Sequence, residues 1–168
     1  CDNRLVLSEP SARKVIEEGL IRLVKTEYPQ TEAVFGTATA GIPHAAICGY
    51  ALDIPMGYVR SGAKDHGRTN RIEGRVVPGC KVLVIEDLIS TGGSAISAAK
   101  ALREAGADVL GIVSIFSYNL EKAAQAFAEA GFEYESLTDF DIACEAAAEI
   151  GYIRQEDIEY LMAFRNSL

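Results

Sequence analysis

The sequence lacks several features that would point to particular protein classes. It has no tryptophan, and none of its apolar runs approaches the ~20 residues needed to cross a bilayer. Its four cysteines, at positions 1, 48, 80 and 144, form neither the close pairs of a metal site nor a dense disulfide framework. Basic residues are also few, since 16 Lys and Arg face 24 Asp and Glu, for a formal charge of −8. We therefore expect a cytoplasmic protein with reduced thiols that binds neither nucleic acid nor membranes.

The sequence does contain alternating strand-like and helix-like segments. Its 168 residues, 49% of them hydrophobic, suffice for one domain over residues 1–168. Apolar runs predict strands at 33–37, 55–60, 81–86, 109–116 and 134–137. Helical spacing predicts helices at 8–25, 41–53, 93–106, 120–130, 142–150 and 155–164, and the polar stretch 61–75 should be a long exposed loop. This alternation predicts an α/β fold, a parallel sheet with helices on both faces that binds ligands beyond the carboxyl ends of its strands.

The most informative segment follows the apolar run that begins at Lys81. Glu86 and Asp87 end this run, and a loop rich in serine, threonine and glycine comes directly after them. Glycines allow a ligand to approach the backbone, hydroxyls donate hydrogen bonds, and the next helix presents unpaired N–H groups. The loop lacks the lysine of the nucleotide-binding P-loop and the GxGxxG spacing, which disfavours a nucleoside triphosphate or a dinucleotide. It therefore reads as a cradle for one phosphate group.

Two carboxylates beside this cradle would repel a second phosphate, but they suit the two hydroxyls of a ribose. Read alone, Glu86 and Asp87 could equally be a metal-binding or phospho-acceptor pair. Together with the cradle, the segment resembles the phosphoribosyl pyrophosphate (PRPP) motif of the type I phosphoribosyltransferases. The resemblance implies that PRPP is bound by Glu86, Asp87, Leu88, Ile89, Ser90, Thr91, Gly92, Gly93 and Ser94.

Other segments resemble the orotate phosphoribosyltransferases in particular. The turn from Gly36 to His44 is similar to their pyrophosphate-contacting loop, which implies contacts from Ala38, Thr39, Ala40 and Gly41. Read alone, it could be an ordinary tight turn, and His44 a capping or packing residue. The segment from Cys1 to Pro10 resembles a stretch near the start of the bacterial enzymes.

The loop after residue 59 is similar to the mobile catalytic loop of that family. Its cations Arg60, Lys64 and His66 would neutralise the leaving pyrophosphate, although a charged loop read alone is usually just solvated. The resemblance further implies a homodimer in which loop 61–73 acts in the neighbouring site. After the strand ending at Phe116, the chain lacks the arginine that some longer relatives direct at the orotate carboxylate.

The activity implied by the resemblance is transfer of the phosphoribosyl group from PRPP to orotate in pyrimidine biosynthesis. Lys64, His66 and Asp87 would be catalytic, Ser90 would also touch orotate, and Mg²⁺ would arrive through PRPP with Asp87 as the candidate protein contact. We expect a small, partly truncated hood over the sheet, without the family's preceding segment. A phosphoribosyltransferase for another base and a non-catalytic PRPP-binding regulator remain the alternatives.

Overall fold

The computed structural model describes residues 1–62 and 71–168. Its strands are β1 (Ala33–Thr37), β2 (Met56–Val59), β3 (Ile72–Glu73), β4 (Lys81–Ile89), β5 (Asp108–Ser117) and β6 (Tyr134–Asp139). Its α-helices are α1 (Pro10–Glu27), α2 (Gly41–Leu52), α3 (Gly93–Glu104), α4 (Glu121–Ala130), α5 (Phe140–Glu149) and α6 (Asp157–Asn166). A 3₁₀ helix, Asn3–Ser8, precedes α1.

The strands form one sheet in the order β3-β2-β1-β4-β5-β6, in which only β3 is antiparallel to its neighbour. From β1 the chain continues through α2 to β2, whereas from β4 it continues through α3 to β5 on the other side. The connections therefore diverge between β1 and β4. In open parallel sheets this topological switch point is where ligands bind, beyond the carboxyl ends of the strands.

Helices cover both faces of the sheet, and each face has its own apolar core. Alternate strand residues point to opposite faces, so one β4 strand supplies both cores. Leu83 and Ile85 pack in the cluster that contains Leu20 of α1 and Cys48 of α2. The cluster on the other face contains residues of α3 and α4, with Val82 and Val84 from the same strand. The predicted α/β architecture is confirmed.

Most boundaries differ from the sequence prediction by one or two residues, and three of the differences have a clear physical cause. The predicted loop 61–75 contains the short strand β3, because Ile72 pairs with Val59 and closes the edge of the sheet. β4 extends to Ile89, because its parallel pairing with β5 continues to Ser117. α1 starts at Pro10, a residue whose fixed φ suits the first helical turn. Within the described residues, no helix is long and apolar enough to cross a membrane.

Candidate active site

The carboxyl ends of β1 and β4 lie side by side and open into a cavity of about 730 Å³. Its lining includes the turn after β1, residues 38–40, and the start of the chain, residues 1–4. The floor includes Glu86, Asp87 and Leu88, with Ser94 from α3 and Tyr118 after β5. The structure thus brings the predicted acids, part of the phosphate cradle and the predicted pyrophosphate loop around one space.

Glu86 is a buried carboxyl group held in a fixed orientation. Its Oε1 accepts a hydrogen bond from the Thr37 hydroxyl at 2.5 Å and another from the Asp87 backbone N–H at 3.1 Å. Burial disfavours the ionised form and raises the pKa of Glu86 from 4.5 to about 7, although the Thr37 hydrogen bond works in the opposite direction. Glu86 can therefore be either protonated or ionised near neutral pH, depending on what enters the cavity.

This pKa predicts a pH-dependent contribution to stability. Because the folded protein binds the Glu86 proton more tightly than the unfolded chain does, the stabilisation is present below pH 4.5 and is lost as pH rises through about 7. Relative to Glu86→Gln, we expect the free energy of unfolding to fall by about 3 kcal/mol across this window. Urea unfolding of both proteins between pH 4.5 and 8 measures the difference. If the difference in the free energy of unfolding between the parent and Glu86→Gln stays constant with pH, the pKa of Glu86 is not raised in the folded protein.

Asp87 is half-buried at the edge of the same cavity, and its backbone is held by a distant residue. The side-chain amide of Asn3 donates a hydrogen bond to the Asp87 carbonyl oxygen at 2.7 Å. Asn3 is itself buried, so the first 3₁₀ helix is fastened to the end of β4. The Asp87 backbone consequently has a defined place at the end of β4, and the Asp87 carboxyl group is close enough to Glu86 to help raise the pKa of Glu86.

The predicted phosphate cradle is the turn from β4 into α3. Ser90 and Thr91 are exposed there, whereas Gly92 is buried with a φ of 79° and caps the helix. An added Cβ at Gly92 would lie 2.5 Å from the Phe127 ring, so both its backbone conformation and its surroundings require glycine. Because Gly92 has no side chain to cap the helix, the first N–H groups of α3 remain available to an anion.

The turn after β1 packs directly on β4. An added Cβ at Gly41 would lie 2.5 Å from the Ile85 carbonyl oxygen and 2.6 Å from Thr37 Oγ1. The Ala38–Thr39 peptide bond in this turn is cis. The absence of a side chain at Gly41 thus allows the predicted pyrophosphate loop to approach the strand that carries Glu86.

Two arginines border a second, smaller space beside α3. Arg60 and Arg71 line a cavity of about 240 Å³ together with Gly93 and Ser94. Arg60 pairs with Glu73 at 3.3 Å, and the Arg71 guanidinium donates to the Arg60 carbonyl oxygen at 2.9 Å and to Ser97 Oγ at 3.0 Å. Arg60 therefore faces the same helix start as the phosphate cradle. The other predicted loop residues, Lys64 and His66, lie outside the described residues.

Several site contacts escaped the sequence analysis because they join distant segments. Thr37 supports Glu86 across β1 and β4, Asn3 supports Asp87, and Arg71 ties β3 to α3. Of these residues, only Thr37 could have been singled out from the sequence, because it is a polar residue at the end of a buried strand. His44 is buried in α2 with its Nδ1 at 2.6 Å from a Glu17 carboxylate oxygen, so it packs against α1.

A mostly parallel sheet whose switch point carries two adjacent acids and a glycine-rich turn into a helix is typical of a phosphoribosyltransferase. The family model of the phosphoribosyl transferase domain matches residues 6–144. The orotate phosphoribosyltransferase of Fusobacterium nucleatum subsp. nucleatum is 51% identical over 168 residues, all of this chain and 80% of that protein. The chain belongs to the orotate phosphoribosyltransferase family, as its motifs indicated.

Solved structures agree in fold. The orotate phosphoribosyltransferase from Aeropyrum pernix matches with a TM-score of 0.78 and 28% identity, covering 90% of this chain and 83% of that one. The Mycobacterium tuberculosis orotate phosphoribosyltransferase in complex with PRPP matches with a TM-score of 0.68 and 28% identity. The match covers 83% of this chain and 80% of that one.

Proposed function

We propose that the chain transfers the 5-phosphoribosyl group from PRPP to orotate, giving orotidine 5′-monophosphate and pyrophosphate in pyrimidine biosynthesis. One observation carries the proposal. Glu86 and Asp87 line a single cavity with Ser94 of the cradle and with the turn at 38–40, so groups for ribose, phosphate and pyrophosphate face one space. Relatives of this family at about half identity support orotate as the acceptor. We place the reaction in the cytoplasm.

The sugar phosphate is held at two points in this proposal. The carboxylates of Glu86 and Asp87 accept hydrogen bonds from the two ribose hydroxyls, while N–H groups and hydroxyls from Ser90 to Ser94 hold the 5′-phosphate. Leu88 and Ile89 contribute the backbone between these points. Because C1 becomes cationic as pyrophosphate departs, nearby carboxylates also stabilise the developing charge on the sugar. Fixing both ends of the ribose leaves C1 facing the base, and Ser90 also contacts orotate.

The leaving pyrophosphate needs positive charge and N–H donors. Arg60 beside the cradle supplies positive charge, together with the proposed loop residues Lys64 and His66. His66 is also a candidate proton donor to the pyrophosphate. The turn at Ala38–Gly41, whose first three residues line the cavity, supplies backbone groups there. Little acid–base chemistry is required of the protein, since orotate is already a nucleophile and pyrophosphate is a good leaving group.

The residues in the cavity fit Mg²⁺ bound mainly through the substrate. Asp87 offers a hard oxygen ligand at the cavity edge, and the phosphate oxygens of PRPP would supply the others. A Mg²⁺ ion held by PRPP oxygens and Asp87 would neutralise charge on the leaving group.

The proposed function is tested by a panel of bases. Consumption of orotate, uracil, adenine and xanthine is measured with PRPP and Mg²⁺, with release of pyrophosphate as a second readout. We expect turnover with orotate far above that with the other three. Turnover of adenine or xanthine without orotate would overturn the assignment of the base. PRPP binding without turnover of any base would favour the alternative that the chain is a non-catalytic PRPP-binding regulator.

We also propose a homodimer in which loop 61–73, apart from its last two residues in β3, acts in the neighbouring site. Mixing Lys64→Ala chains with Asp87→Ala chains tests it, because the intact loop and the intact cavity then come from different chains. Shared sites should regenerate one intact site in each heterodimer, and the mixture should recover activity that neither variant has alone. Heterodimers that form without recovered activity would contradict the shared arrangement.

A further inference from the structure

The large cavity carries an unusual charge balance for a site that must accept an anion. Three carboxyl groups line it, from Asp2, Glu86 and Asp87. Among the described residues that line it, Arg4 is the only Lys or Arg. Orotate carries a carboxylate on its ring, so the acids repel it and a cation must compensate. Among the side chains of the described lining, Arg4 is therefore the candidate cation.

The two arginines Arg4 and Arg60 belong to different compartments. Ser94 lines both the large and the smaller cavity, whereas Arg4 lines only the large one and Arg60 only the smaller one. Arg60 accompanies the start of α3, where a phosphate is expected. Arg4 instead shares its cavity with Leu7 and Tyr118, an apolar and an aromatic side chain of the kind that borders a planar base. The neighbours of Arg4 therefore favour a contact with the base, whereas Arg60 faces the phosphate cradle.

The backbone around Arg4 is tied to the reacting end of the site. The Asp2 carboxylate accepts a hydrogen bond from the Arg4 backbone N–H at 3.2 Å, which caps the first 3₁₀ helix. Asn3, which lies between Asp2 and Arg4, donates a hydrogen bond from its side-chain amide to the Asp87 carbonyl oxygen at 2.7 Å. Because Asp87 is one of the diol acids, the segment that carries Arg4 is held at a fixed position relative to the ribose.

The Arg4 guanidinium itself is held only loosely. Its Nε lies 3.9 Å from the Asp2 carboxylate, and the two side chains are 76% and 59% exposed. An exposed ion pair of this kind contributes little, so its exchange for a ligand carboxylate costs little. The planar guanidinium can donate two parallel hydrogen bonds to one carboxylate, a geometry that lysine cannot reproduce.

We propose that Arg4 binds the carboxylate of the base and thereby selects orotate over uracil, which differs from it only by lacking that group. This inference rests on the proposed function and names the residue that recognises the acceptor. It makes Arg4 a specificity-determining residue that contacts substrate.

Product binding tests the inference without turnover. Orotidine 5′-monophosphate and uridine 5′-monophosphate differ only in the carboxylate, so the ratio of their dissociation constants isolates its recognition. We would measure both by titration calorimetry for the parent chain, Arg4→Ala, Arg4→Lys and the control Lys14→Ala. Lys14 is an exposed α1 residue paired with Glu18 and does not line the cavity, so its removal changes net charge alone.

We expect Arg4→Ala to reduce the preference for orotidine 5′-monophosphate by about 10- to 100-fold, with uridine 5′-monophosphate binding unchanged. Arg4→Lys should restore part of the preference, and Lys14→Ala should retain all of it. Equal weakening of both nucleotides, or an unchanged preference, would overturn the inference.

Orotate turnover, measured on the same proteins, separates this inference from the proposed function. If the parent converts orotate and Arg4→Ala keeps the preference for the carboxylate, the proposed function stands and the role of Arg4 fails. If the parent does not convert orotate but loses its nucleotide preference on Arg4→Ala, the carboxylate subsite stands and the proposed function fails.

Discussion

Replacing Asp87 with asparagine is expected to lower kcat/KM for PRPP by about 10- to 150-fold, since each charge-assisted hydrogen bond to a carboxylate contributes about 1.5–3 kcal/mol. Asp87 lies at the edge of the large cavity beside Glu86, where its carboxylate would accept a hydrogen bond from a ribose hydroxyl. An amide keeps the size of the side chain but loses its charge and one acceptor. Steady-state kinetics with varied PRPP measures the loss.

Asp108→Asn is the matched control for this prediction. Asp108 is an exposed aspartate at the first residue of β5, the end of the strand opposite to the cavity. The control should retain the parent kcat/KM, and both variants should unfold at similar urea concentrations. If Asp87→Asn retains a kcat/KM for PRPP near that of the parent, the Asp87 carboxylate does not hold the ribose hydroxyls.

Replacing Gly41 with alanine is expected to lower the free energy of unfolding by about 3 kcal/mol or more, because overpacking a tight contact forces the backbone to move. The added Cβ would lie 2.5 Å from the Ile85 carbonyl oxygen, and backbone atoms cannot move away as a flexible side chain can. The same Cβ would approach Thr37 Oγ1, which holds Glu86. Urea denaturation measures the loss.

Gly93→Ala provides the contrasting variant. An added Cβ at Gly93 would meet no atom within 4 Å, and Gly93 is the first residue of α3. Alanine should therefore leave the free energy of unfolding within about 1 kcal/mol of the parent. If Gly41→Ala is as stable as Gly93→Ala, the turn after β1 does not pack on β4 as described.

The strands and helices were largely predictable because their apolar patterns are local. The continuous run from Lys81 to Ile85 predicts a strand covered on both faces, and β4 is covered on both faces. Its last residues, through Ile89, include two acids that interrupt the apolar run, so pairing with β5 was needed to show them as strand. β3 has only two residues, too few for any periodicity to appear.

The site was predictable only where its residues are consecutive in sequence. Glu86 to Ser94 could be recognised as one motif because acids, hydroxyls and glycines follow one another. The hydrogen bond from Thr37 to Glu86 joins residues 49 apart, and that from Asn3 to Asp87 joins residues 84 apart. Their pairing depends on which strands and segments become neighbours, which no local pattern specifies. The raised pKa of Glu86 likewise follows from burial in the folded chain.

The central claim is that the end of β4 and the start of α3 hold the sugar phosphate of PRPP. A crystal structure of the chain with PRPP and Mg²⁺ tests this most directly. We expect ribose hydroxyls within about 3 Å of the Glu86 and Asp87 carboxylates and the 5′-phosphate on N–H groups between Thr91 and Ser94. A 5′-phosphate bound elsewhere, with neither acid in contact with the ribose, would contradict it.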